Sequence, residues 1–251
     1  MPFWKGRPSV DSAYADFAFE CFGWYLRNTK SFRARRLVQP TDRFFPQRGL
    51  QGHELVAAVF EVVKREAGLE RWTCRLEAQE ADPDARVGEL VVVKGIGGTA
   101  GTFSWPEGGP VITYNPKLEE NPVALVATLA HELAHFLTRT FSEQLPAGPA
   151  VYEHATDVGT VFLGCGLFAA NSRFEFSQYS ATFSKGWQSQ RRGYLTEPQI
   201  LYALAIFCAL REVPETELLP YLKSHLRGSY KQARREVDER AAEFEALRKL
   251  A

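Results

Sequence analysis

Over residues 10–28 the apolar side chains of Tyr14, Phe17, Ala18, Cys21, Phe22, Tyr25 and Leu26 return at intervals of three and four, which predicts a helix with one buried face. The same period recurs over 53–66 through Leu55, Val56, Val59, Val62 and Val63, with His53 near the start as a surface or capping residue. Residues 72–79 instead alternate apolar with polar, and 89–93 form a β-branched run. Two strands joined across Asp82-Pro83-Asp84 are therefore predicted. Residues 102–105 and 111–114 predict a further hairpin. It leads into a third helix, where Asn121 caps, Pro122 takes the first helical position and an apolar run follows.

Downstream, residues 140–149 read as a loop with two prolines and a glycine. The helix after it is apolar on nearly all sides over 158–170, and its Gly159, Gly164 and Gly166 permit close packing or an early break. Residues 172–192, polar with Tyr179, Phe183 and Trp187, read as a loop or lid. Thr196-Glu197-Pro198 opens a buried helix over 200–210, and Pro214 starts a shorter one. The stripe Tyr230, Ala233, Val237, Ala241, Phe244, Leu247 predicts a helix docked on the surface, because it lasts too few heptads for a coiled coil.

With 251 residues, 45% of them hydrophobic, the chain can bury one substantial core. A formal net charge of zero gives no reason to expect nucleic-acid affinity or recruitment to an acidic membrane. The basic run Arg33-Ala34-Arg35-Arg36 reads as a solvated face. Cys21, Cys74, Cys165 and Cys208 are far apart and form no CxxC, so they read as reduced core residues. The N-terminus lacks an apolar run with a cleavage site, and the longest uncharged stretch, 158–172, is too short to span a bilayer; a cytoplasmic protein is expected. The glycine-rich 95–102 lacks the Gly-Lys-Ser/Thr ending of a phosphate loop and leads into a strand, so a flexible loop or hairpin arm is expected.

The chemistry concentrates in His131-Glu132-Leu133-Ala134-His135. Four helical residues turn the chain by about 400°, so His131 and His135 share a face one turn apart and can ligate one zinc ion. Glu132 sits beside that face, where a carboxylate can take a proton from an attacking water, as in the HExxH pattern. A third ligand is needed, and Val151-Tyr152-Glu153-His154-Ala155-Thr156-Asp157 supplies carboxylates four apart at Glu153 and Asp157. His154 adjoins Glu153 but points about 100° away on a helix.

From His131 to Asp157 the chain resembles the gluzincin, thermolysin-like group of zinc metallopeptidases, whose pattern is HExxH followed by ExxxD. Here 17 residues separate His135 from Glu153, and Tyr152 stands where the group often has Asn. The resemblance implies Zn2+ held by His131, His135 and Glu153, Glu132 as general base, and Asp157 orienting a ligand imidazole. It also implies an α+β, zincin-like single domain: a small, mostly antiparallel sheet and the HExxH helix in an N-terminal lobe of about 1–139, and a helical C-terminal lobe of about 148–251. The substrate would be a peptide or protein, with strand 111–114 as the edge that pairs with it or, equally, as an ordinary strand of the sheet. The oxyanion donor would be a Tyr or His of the C-terminal lobe. Tyr179, Tyr194, Tyr202 and His225 are available there, and no motif selects one. A non-hydrolytic module that keeps the fold to bind a protein or peptide is the alternative expectation.

Overall fold

The computed structural model describes residues 7–30, 32–79, 100–172 and 194–251. The predicted turn at 82–84, the strand at 89–93, the loop at 95–99 and the lid after Ser172 lie outside the described residues. The fold is α+β and mostly helical, and its first helix, α1 (Ser12–Asn28), begins where the Asp11 carboxylate accepts from the Tyr14 N–H at 2.7 Å. Helix α2 (Gly52–Glu66) follows, then three short strands: β1 (Arg75–Ala78), β2 (Gly101–Ser104) and β3 (Val111–Tyr114).

The sheet order is β1-β3-β2, with β1 parallel and β2 antiparallel to β3. The sheet is thus mixed, where the sequence predicts a mostly antiparallel one. Strand 111–114 is its centre, with both hydrogen-bonding edges occupied, so it cannot be the peptide-binding edge. The cause is its composition: Val111, Ile112 and Tyr114 are buried, whereas β1 and β2 carry the charged and polar positions tolerated at an edge.

Helix α3 (Pro122–Thr138) starts at Asn121, whose side chain accepts from the Ala124 N–H at 3.1 Å, and it is buried almost all round. Helix α4 (Tyr152–Thr160) widens into a π-type turn over Val161–Cys165 before α5 (166–172). Helix α6 (Glu197–Leu210) opens with a capping box between Thr196 and Gln199 and is also wholly apolar in its interior. The chain closes with α7 (Glu215–Leu218), α8 (Arg227–Asp238) and α9 (Ala241–Leu250). The expected single C-terminal helix is therefore two. It breaks at Arg240, whose guanidinium binds Asp16 of α1 and Glu243 of α9 and covers the Phe19 ring.

One apolar cluster runs through α1, α3, α4, α5 and α6. Helix α1, expected in the sheet lobe, packs on α4, α6 and α9. Arg35 departs from the solvated face expected of its run: it is 3% exposed, donates to the Ala67 carbonyl at 2.8 Å and lies over the Phe162 ring. Burial lowers its pKa to about 10, with Cys165 and Tyr25 opposing the change. The four cysteines are free; burial pushes Cys165 and Cys208 up to about 12, which keeps both as inert thiols. Among the described residues no helix is long and apolar enough to cross a membrane.

Two glycines carry specific duties. Gly164 holds φ +95°, and its carbonyl accepts from the Val38 N–H at 3.0 Å; a Cβ there would fall on the Arg36 carbonyl. Gly159, on α4, lets that helix lie directly on α1 and α3: a Cβ would strike the Tyr25 hydroxyl and come within 2.9 Å of the Ala134 Cβ. That hydroxyl already donates to the Ala155 carbonyl at 3.1 Å, so the Tyr25 ring cannot simply swing away. Gly159→Ala is expected to lower stability by about 1–3 kcal/mol in urea denaturation. The comparison is Gly228→Ala, at a site with open space and ordinary φ, where the change should be neutral or stabilising by about 0.4–1 kcal/mol.

Candidate metal centre

Helix α3 presents His131 and His135 one turn apart, and the first turn of α4 brings Glu153 against them. The two imidazole Nε2 atoms are 3.1 Å apart, and Glu153 Oε2 lies 3.4 Å from the first and 3.5 Å from the second. All three ligand atoms fall within 4.8 Å of one another, so this group could hold a metal ion. Two nitrogens and a carboxylate oxygen suit zinc and other borderline divalent ions.

Each imidazole is held from behind. His131 Nδ1 donates to Asp157 Oδ1 at 3.0 Å, and Asp157 Oδ2 accepts from the Leu195 N–H at 2.8 Å. His135 Nδ1 faces Thr156 Oγ1 at 3.4 Å, and that hydroxyl donates its own proton to the Tyr152 carbonyl at 2.9 Å. With its proton committed there, Thr156 can only accept from His135. Both rings therefore carry the proton on Nδ1 when neutral, and both Nε2 lone pairs point at the shared site. The Tyr152 ring lies 5.2 Å from that of His135, its hydroxyl tied to Thr138 at 2.9 Å.

Glu132 points into a cleft beside the cluster and is 5% exposed. Its stem passes strand β2 at Gly101, where a Cβ would sit 3.1 Å from Glu132 Cγ and 2.7 Å from Thr128 Cγ2. Burial raises the pKa of Glu132, and the nearby Glu153 charge adds to this, while His131 and His135 oppose it. Burial alone would favour neutral His131. Hydrogen bonds to Asp157 and Glu153, with the charges of Asp157 and Glu132, outweigh it and push the pKa to about 10. Glu153 is held well below the usual carboxylate range, chiefly by its hydrogen bonds to His131 and His135.

The residues singled out in the sequence thus fall into two sets. His131, Glu132, His135, Glu153 and Asp157 meet at one place, with Asp157 behind His131 and outside the ligand triad. His154 turns away and packs edge-on against Phe17. Of the tyrosines and histidine considered as oxyanion donors, Tyr194 lies with its ring 5.7 Å from that of His131 and is 52% exposed on the cleft. Tyr202 is buried against Tyr14 and Phe19, and His225 lies on the surface 3.9 Å from Glu197. Tyr179 is outside the described residues. His53 lies on the surface, as expected, with the Tyr114 hydroxyl at 3.1 Å. Sequence reasoning missed Thr156 and Gly101. The first shares the Glu153 face of α4 at a spacing of three, a signal open to inspection, whereas the second comes from a remote strand and carries none. No protein-family model, curated protein or solved structure matches the chain.

Two outcomes are expected in zinc titrations. Thr156→Val should weaken binding about 10-fold and Asp157→Asn about 10- to 100-fold, since each loses an acceptor that orients a ligand ring. Metal must also displace the proton that His131 keeps below about pH 10, so affinity should rise between pH 6 and 8. The proton release is measured calorimetrically in buffers of different ionisation enthalpy; flat affinity over that range would contradict the arrangement.

Proposed function

We propose that the chain is a zinc-dependent peptidase of gluzincin type, and the observation that carries this reading is the meeting of His131, His135 and Glu153 beside the buried carboxylate of Glu132. When bound, zinc supplies Lewis acidity, which polarises a carbonyl and brings the pKa of water to about 7. The chain supplies the rest. Glu132, within the cleft, accepts a proton from the attacking water and delivers it to the departing amine nitrogen, so that no net proton is consumed in breaking the C–N bond. Its elevated proton affinity suits it to both halves of that transfer. Tyr194, at the cleft mouth beside His131, is placed to donate a hydrogen bond to the carbonyl oxygen as negative charge develops there. Strand β2, which passes Glu132 at Gly101 and among the described residues pairs only with β3, replaces 111–114 as the segment along which an extended substrate would lie.

The test is cleavage of a peptide library by zinc-loaded protein. Glu132→Gln should keep one zinc per chain and lose at least ~100-fold in cleavage, and Tyr194→Phe should lose about 10²-fold in kcat. If zinc-loaded wild type never exceeds Glu132→Gln, hydrolysis is excluded and a metal-holding binding module remains.

A further inference from the structure

The cleft beside the metal cluster has a volume of about 50 Å³, and its lining outside that cluster is mostly small side chains. Ala100 precedes β2 and Gly101 begins it, Ala127 and Thr128 come from α3, Ala169 from α5 and Ile200 from α6. An apolar cavity of about 150 Å³ takes benzene, and this cleft has about a third of that volume, which suits a group of a few heavy atoms. Of the charged groups that touch it, His131 and Asp157 pair with each other, and Glu132 is the carboxylate that the peptidase reading commits to the attacking water. Among the described residues the remainder of its wall carries no charge to meet a lysine, arginine or carboxylate side chain.

Thr128 adds a second feature. Thr138 on α3 and Thr156 and Thr160 on α4 each donate a hydroxyl proton to a backbone carbonyl of their own helix. Thr128, 3% exposed on the cleft wall, does not, and its Oγ1 has no hydrogen-bond partner among the described residues. A buried hydroxyl left in that state is costly. Its methyl, Cγ2, is the atom facing Gly101. One step about χ1 exchanges methyl for hydroxyl, and the turn forfeits no internal hydrogen bond.

From the size of this cleft and the unpartnered Thr128 hydroxyl we infer that the protein selects substrates with a small, uncharged residue flanking the cleaved bond, serine and threonine before alanine. The inference rests on the peptidase reading above and adds the substrate class to it. Bulky, aromatic and charged residues are rejected at that position by volume and by desolvation.

Zinc-loaded protein is given blocked peptides in which each residue flanking the cut is varied in turn, and products are read by mass spectrometry. Serine, threonine and alanine should dominate at one of the two positions. Thr128→Val should lower the ratio of kcat/KM for serine over alanine about three- to tenfold, and Thr128→Ser should restore it. Ile200→Ala should raise acceptance of leucine or methionine at least about tenfold relative to serine; should that core change prove unstable, Ala169→Val tests the same wall by depressing cleavage of threonine peptides relative to alanine. Cleavage with a large or charged residue preferred at both positions, or an unchanged serine-to-alanine ratio in Thr128→Val, overturns the inference and leaves the peptidase reading standing. No cleavage of any peptide by protein carrying one zinc per chain overturns both.

Discussion

The nearness of helix α4 to helix α3 governs the rest of this molecule. Glu153 and Asp157 must reach over the rings of His131 and His135, which requires two helix backbones to approach with nothing larger than Gly159 and Ala134 between them. Tyr25 of α1 fixes the distance from the third side, through its bond to the Ala155 carbonyl. The close approach also buries ionisable groups: His131 is 9% exposed, and Glu132 and Asp157 are each 5% exposed. Such groups destabilise a fold unless paired. Asp157 answers to this with both oxygens, one toward His131 and one toward the Leu195 N–H, which ties the start of the C-terminal helices to the metal helix.

A nearly all-apolar helix that carries three ionisable residues along five positions is a conflict between local composition and burial, and such conflicts gather where a protein does chemistry. Without these three residues α3 would read as an ordinary core helix. Its capping by Asn121, its Pro122 and its alanines already account for folding.

Much of this was legible in the sequence because it is local. Helix starts announced themselves through Asn121 and Thr196, and the spacing of His131 and His135 fixed a shared face. The coming together of Glu153 and Asp157 with that pair needed a family resemblance, since a 17-residue gap contains no geometry of its own. Three features were out of reach. The central place of β3 follows from competition among strands for burial, which no single strand encodes. Arg35 is buried by acceptors that come from elsewhere in the chain, the Ala67 carbonyl and the Phe162 ring. Gly101 matters only because β2 happens to pass Glu132.

X-ray absorption at the zinc edge of the zinc-loaded protein reads directly whether the proposed ion sits between α3 and α4. Two imidazole nitrogens at about 2.0–2.1 Å and a carboxylate oxygen at about 2.0–2.2 Å are expected, with the oxygen contribution lost in Glu153→Ala. A sulfur shell near 2.3 Å, or a spectrum that Glu153→Ala leaves unchanged, would place the metal elsewhere and contradict the proposal.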